Sequence, residues 1–233
     1  MNAFGIDVIQ NPQNFLDHNP EYTDQLVQAA QSAFSADGIP TKEDTVEHVL
    51  PVSTLVLAYD REKDEYVGFS STDRVAGTVY EHGIAVEEAR QRNGLGKAML
   101  SLSILAEMDE DEETVTYRTQ SPAMYNCSRK VFNAYPRPEE ETPEQIRQSL
   151  EDVAEALDPE AEVEDNVMKS AYPEPMYSDI PDGESRRYLE SRGMDYRNGD
   201  AVVVGGTVNE EEMEQAVNQY ISQHENIAEV NHL

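Results

Sequence analysis

Residues 78–106 read TVYEHGIAVEEARQRNGLGKAMLSLSILA, and this stretch decides how the rest of the chain is read. Val79 to Val86 is short, holds β-branched and aromatic residues, and ends at the acidic pair Glu87 and Glu88, which predicts a buried strand. After Gly94 the apolar residues Leu95, Ala98, Met99, Leu102, Leu105 and Ala106 recur at helical spacing, with Lys97, Ser101 and Glu107 off that face. The order is strand, loop, helix.

A helix opened in this way turns the N–H groups of its first turn outward at the positive end of its dipole, where a phosphate can be held. Gly94 and Gly96 let a ligand approach the backbone and tolerate positive φ. Arg90, Arg92 and Lys97 bring three cations to the same turn. The dinucleotide pattern G-x-G-x-x-G fails at Met99, and the P-loop pattern fails at Gln91 and Ala98.

The pattern that fits is Q/R-x-x-G-x-G/A, here Gln91-Arg92-Asn93-Gly94-Leu95-Gly96, after a strand that ends at Val86. It resembles motif A of the GNAT-type N-acetyltransferases. The resemblance implies that backbone groups of Ile84, Ala85 and Val86 face the pantetheine arm of acetyl-CoA. It also implies that Gln91, Arg92, Asn93, Gly94, Leu95, Gly96 and Lys97 hold the pyrophosphate. Many members carry a proline in this turn, where this chain has Glu88.

A second stretch, Arg118 to Phe132, resembles the family's motif B, whose helix flanks the cofactor thiol and by implication adds Ser121 and Asn126 to the cofactor contacts. Ser121 stands where an asparagine commonly starts the motif, and Ser128 where many members place a proton-donating tyrosine. Tyr125, about one helical turn away, is a candidate for protonating the leaving thiolate, with a core tyrosine as the equal alternative. For the base the candidates are Glu81 and His82, which alternate to opposite faces unless Gly83 marks a bulge. A strand carboxylate acting through water is the commoner base in the family, so Glu81 leads, and a structural polar residue stays open.

The chain has 233 residues, enough for one large domain, and carries 47 acidic against 17 basic residues for a net charge of −30. Such a field argues against nucleic acid and anionic membrane as partners, and it fits adaptation to high salt, hence a halophilic source. Cys127 is the only cysteine, and the N-terminal residues lack the basic and long apolar regions of a signal peptide, so a soluble cytoplasmic protein is expected. No carboxylate or cysteine stands at metal-ligand spacing to the scattered histidines, and no G-x-S-x-G elbow is present; no metal is expected.

Working outward, Phe4 to Ile9 predicts a strand, Asn19 and Pro20 open a helix through Phe34, and Lys42 to Leu50 a shorter one. Thr54–Tyr59 and Tyr66–Ser71 across a charged turn read as an antiparallel hairpin. In the family the two early helices and their loop set acceptor specificity; His48 is a candidate there, with exposed charge as the alternative. Thr114–Thr119 alternates as a strand, Pro136–Glu141 has the composition of a linker, and Thr142-Pro143-Glu144-Gln145 reads as a capping box with proline at the first helical position. The helix it opens carries Ile146, Leu150, Val153 and Leu157 inward. Val167–Tyr172 and Asp200–Val208 are assigned as the closing strands, with a helix at Ser185–Arg192. A last helix follows Asn209 with Met213, Ala216, Val217, Tyr220 and Ile221 inward.

The expectation is an α/β (α+β) fold with a mixed, mostly antiparallel central sheet flanked by helices and C-terminal helical additions. It forms a single domain over 1–233, of which 1–135 is the acetyl-CoA-binding core and 136–233 an extension completing the sheet. The function implied is acetyl transfer from acetyl-CoA to a primary amine on a small molecule or peptide, and a homodimer is allowed. The rival is a module that keeps the fold to bind acyl-CoA without catalysis.

Overall fold

The computed structural model describes residues 4–34, 40–177, 180, 182–223 and 227–232. Strand β1 (Phe4–Gln10) leads into α1 (Pro12–His18), α2 (Pro20–Ala33) and α3 (Lys42–Val49). β2 (Thr54–Asp60), β3 (Glu65–Val75), β4 (Thr78–Val86) and α4 (Leu95–Glu107) follow. Next come β5 (Glu112–Thr119), α5 (Pro122–Val131), α6 (Glu144–Leu157), β6 (Val163–Glu164) and β7 (Val167–Met168). The chain ends with α7 (Glu184–Ser191), β8 (Ala201–Asn209), α8 (Glu210–Gln223) and β9 (Ile227–His232). This is the mixed α/β architecture expected, mostly antiparallel strands flanked by helices.

Two compact units form. The first holds the chain up to Asp73, Glu81–Asp111 and everything from Glu210; the second holds Arg74–Tyr80 and Glu112–Asn209.

In the first unit the strand order is β4-β3-β2-β1-β9. β2 pairs antiparallel with both β1 and β3, and β9 lies parallel to β1. On one face α2 and α3 bring Leu26, Ala30 and Val49 against Ile9, Leu55, Leu57, Phe69 and Ala85. On the other, Leu95, Ala98, Met99 and Leu102 of α4, with Val217 of α8, cover Ile6, Val8, Val56, Ala58 and Val86. Each Val, Leu, Ile, Phe or Met among these contributes roughly 1.5–3 kcal/mol over its exposed state. Because α4 also packs against α8, its far side is covered too; Ser101, expected off the apolar face, is fully buried.

Two local expectations change here, and a third is met in part. A helix, α1, precedes α2; Pro12 starts it and the Asn11 side chain caps it by accepting the Asn14 N–H. Asn19 does stand at the N-cap of α2, but its amide donates to the Phe15 carbonyl at 2.8 Å, so the junction of the two helices uses it. Of the residues expected inward on α8, Met213 and Val217 are buried and Ile221 packs beside them, while the Tyr220 side chain lies outside the described residues.

In the second unit the order is β6-β7-β8-β5, all antiparallel. The two-residue turn between β3 and β4 places Ala76 (φ 49°) and Gly77 (φ 78°) in the left-handed region, the hairpin geometry that matches strand twist. Ile146, Leu150, Val153 and Ala154 of α6 pack on Tyr80, Met168 and Val203. The capping box is not formed: Pro143 is itself the N-cap of α6 and no side chain caps it. Nor is Pro136–Glu141 preceded by a free linker start, since Tyr135 exchanges backbone hydrogen bonds with Gly205, at 2.7 and 3.0 Å. The strand expected over Val167–Tyr172 stops at Met168, because Lys169 and Ser170 turn aside to the buried carboxylate of Asp200, at 3.1 and 3.0 Å.

Candidate active site

The turn after β4 closes on itself. The Gln91 side chain donates to the Val86 carbonyl at 3.1 Å, and the Asn93 side chain to the Arg90 carbonyl at 3.2 Å, after a single 3-10 turn over Glu88–Arg90. Gln91 is thus the clasp of the turn. Arg92 (φ 66°) and Gly94 (φ 81°) are both left-handed, which turns successive backbone N–H groups toward one side. The first bond inside α4 is from the Ala98 N–H to the Gly94 carbonyl, and glycine at the N-cap offers no side chain to the groups before it. No acceptor for the N–H groups of Arg92, Asn93, Gly94, Leu95 and Gly96 occurs among the described residues.

Gly96 adds a second observation. A Cβ built on it would meet only Ile84 Cδ1 and Val86 Cγ2, each at 3.9 Å, ordinary contacts. The protein's own packing therefore does not demand a glycine there, whereas close approach by a ligand does. Gly68 is different: a Cβ there would stand 2.7 Å from the Ala85 carbonyl oxygen, so this glycine lets β3 and β4 fit together.

The three cations of the turn separate. Arg90 is taken by the fully buried Asp60 at 2.8 Å and lies over the Phe4 ring at 5.9 Å, so it fastens the turn to the sheet. Arg92 is exposed, with no side-chain partner among the described residues, and Lys97 is half-buried in the first turn of α4.

β4 is bulged at its centre. The Glu81 carboxyl accepts from Ser103 of α4 at 3.2 Å and from Ser70 at 3.1 Å, while Ile84, three residues on, packs in the same α4 cluster. In an unbroken strand residues three apart lie on opposite faces, so an extra residue is inserted between Glu81 and Ile84. The Gly83 N–H accordingly reaches the Glu81 carboxyl, and its carbonyl accepts from the Ser71 hydroxyl at 3.3 Å.

Glu81 is 3% exposed. Burial pushes its carboxyl up to about 8, and the hydrogen bonds from Ser70, Ser103 and the Ser71 and Gly83 N–H groups offset only part of that. The unfolded chain ionises this carboxyl near 4.5, so between pH about 4.5 and 8 only the unfolded state gives up the proton, and the folded state loses stability as pH rises. Below that window the group contributes no penalty; above it the loss is complete. Glu81→Gln, which keeps an acceptor oxygen but cannot ionise, should flatten this decline and at pH 8 be more stable than wild type, by on the order of a few kcal/mol, and so melt higher. Melting temperatures of the two proteins from pH 5 to 9 check it; parallel curves would contradict it.

The other candidates take these places. The half-buried His82 lies on β4 beside the bulge. In the second unit, Tyr125 is fully buried and its hydroxyl donates to the Pro136 carbonyl at 2.6 Å; burial pushes its phenol up to about 12. Ser121 caps α5 by accepting the Met124 N–H at 3.2 Å, and Asn126 accepts from Ser185 of α7 at 2.6 Å. Ser128 is buried, bonded to the Tyr117 hydroxyl and donating to the Tyr125 carbonyl at 3.0 Å. Among the described residues no group of three or more His, Cys, Asp or Glu could hold a metal ion, and no helix is long and apolar enough to cross a membrane.

A bulged strand, a clasped turn and a helix with an open N-terminus follow one another along β4 and α4. Residues 19–121 match the model of the acetyltransferase (GNAT) family. None of the curated proteins matches the chain in sequence. Solved structures similar to it include an IAA acetyltransferase from Bacillus cereus ATCC 14579, 12% identical, covering 87% of this chain and 99% of that one at a TM-score of 0.48. The ribosomal-protein-S18-alanine N-acetyltransferase from Escherichia coli is 11% identical, covering 80% and 88% at 0.46. An aminoglycoside 6'-acetyltransferase type Ii is 14% identical, covering 86% and 96% at 0.45.

Proposed function

We propose that this protein moves an acetyl group from acetyl-CoA to a primary amine by direct transfer. The observation that carries this reading is the run of backbone N–H groups from Arg92 to Gly96 with no acceptor among the described residues, beside a glycine that the protein's own packing does not require. Pyrophosphate oxygens fit such a run, because several charge-assisted bonds form at once on a backbone already held in place. A chain of net charge −30 repels an anionic ligand at long range, so these short contacts, with Arg92 and Lys97, carry the binding. Ile84–Val86 then line the pantetheine arm.

In the transfer the amine nitrogen bonds to the thioester carbon, the carbon–sulfur bond breaks, the nitrogen gives up a proton and the thiolate takes one. Holding the two reactants together supplies much of the rate. Calorimetric titration with acetyl-CoA and thiol release over a panel of amines (spermidine, lysine, kanamycin and a short peptide with a free N-terminus) test the reading. Saturable binding with amine-dependent thiol release is expected, and absence of binding would overturn it.

Ser128 favours a second reading, an acyl-CoA-binding module without turnover. It stands where relatives place a proton donor, and both it and Tyr125 have their hydroxyls engaged inside the fold. Binding without thiol release from any amine would select that reading.

A further inference from the structure

We infer that His48 is the general base that deprotonates the attacking amine, an inference that rests on the acetyl-transfer reading above. Glu81 is poorly placed for this work: its carboxyl is turned into the α4 side of the sheet, buried, and surrounded by Ser70, Ser103 and two backbone N–H groups. The opposite side of the bulge is covered by α3. A Cβ built on Gly83 would lie 3.4 Å from His48 Cδ2 and 4.0 Å from its Cγ, so the imidazole rests directly over the glycine.

In its neutral form the ring is held in one tautomer. His48 Nδ1 is 2.7 Å from the Asp44 carbonyl oxygen, and since a carbonyl can only accept, the proton sits on Nδ1. Nε2, bonded to the Cδ2 that faces Gly83, then carries the lone pair, and it has no hydrogen-bond partner among the described residues. The orienting carbonyl is itself fixed, because Asp44 closes a capping box with Thr41 at the start of α3. A half-buried imidazole, oriented by one nitrogen and open at the other, is the arrangement a base needs.

Its place along β4 agrees. With the pyrophosphate at Arg92–Gly96 and the pantetheine arm following Val86 back to Ile84, the acyl end arrives at Gly83, under the imidazole. Nε2 takes the proton from the amine nitrogen as that nitrogen bonds to the thioester carbon.

Bromoacetyl-CoA tests this without knowledge of the acceptor, because a base at the acyl end is also a nucleophile there: Nε2 bonds to the methylene carbon and bromide leaves. The reaction is run on the full chain in a Cys127→Ser background, since the one thiol would compete. The expected result is alkylation mapped by mass spectrometry to the peptide holding His48, blocked by excess acetyl-CoA and absent in His48→Gln. With an amine that wild type uses, His48→Gln should lower kcat by about a hundredfold or more and leave the KM for acetyl-CoA unchanged, and added imidazole should restore part of the rate to His48→Gly. If acetyl-CoA binds by calorimetry but label falls elsewhere or nowhere, the inference is overturned while the acetyl-transfer reading stands. If wild type does not bind acetyl-CoA, both fall.

Discussion

Gly96→Val is expected to weaken acetyl-CoA binding about a hundredfold and to leave the melting temperature nearly unchanged. A Cβ at position 96 meets nothing closer than 3.9 Å within the protein, its neighbours there are the ends of two aliphatic side chains, and valine is no worse than glycine in a helix, so the fold tolerates it. A ligand that uses the Leu95 and Gly96 N–H groups must come within hydrogen-bonding distance of this backbone, and branched carbons there hold it off. Two charge-assisted bonds lost at roughly 1.5 kcal/mol each correspond to about two decades of affinity. Calorimetry and thermal melts of both proteins decide it. Equal affinity would place the phosphate site elsewhere.

Gly206→Ala should do the reverse, leaving no binding residue altered while costing about 3 kcal/mol or more of stability. A Cβ at this position of β8 would stand 2.4 Å from the Asn133 carbonyl oxygen, 2.8 Å from its carbon and 3.0 Å from the Phe132 ring. Two of the three obstacles are backbone. That backbone cannot step aside cheaply, because Tyr135, two residues on, is bonded to Gly205 in both directions. Urea unfolding is the check, and a midpoint equal to wild type would mean that segment 132–135 is looser than its contacts imply.

Both glycines were visible in the sequence, yet only one was interpretable there. Gly96 stands in a spaced pattern with Gln91 and Gly94 after a strand, and local pattern suffices to place a clasped turn and an open helix end. The clearance at Gly206 depends on Asn133, more than seventy residues earlier, and no local signal announces it. The same distinction explains the other differences. Arg90 reads as one of three phosphate-facing cations because its partner, Asp60, lies thirty residues before it. The strand at Val167 is longer in the sequence pattern than in the fold because Asp200 draws Lys169 and Ser170 out of line. The capping box at Thr142 is sound as a pattern, but Pro143 takes the cap position itself.

The catalytic side of the site was legible only as alternatives. Glu81 and His82 adjoin a glycine that could mark a bulge, and which face each takes follows from the bulge. Glu81, bonded to Ser103, and Ile84 meet one helix from positions that simple alternation would separate, and this resolves the face of Glu81. His48 was recognisable as a polar residue on an early helix; its orientation by Asp44 and its seat on Gly83 come from packing between α3 and β4, which spacing along the chain does not encode.

The most direct test of the central claim is the amide spectrum of the isotope-labelled full chain during titration with acetyl-CoA. Saturable shifts are expected to be largest at the N–H groups of Arg92 to Gly96 and to extend to Ile84, Ala85 and Val86, with Gly96→Val abolishing them at the same ligand concentrations. Saturable binding that leaves Arg92 to Gly96 unperturbed would contradict the account.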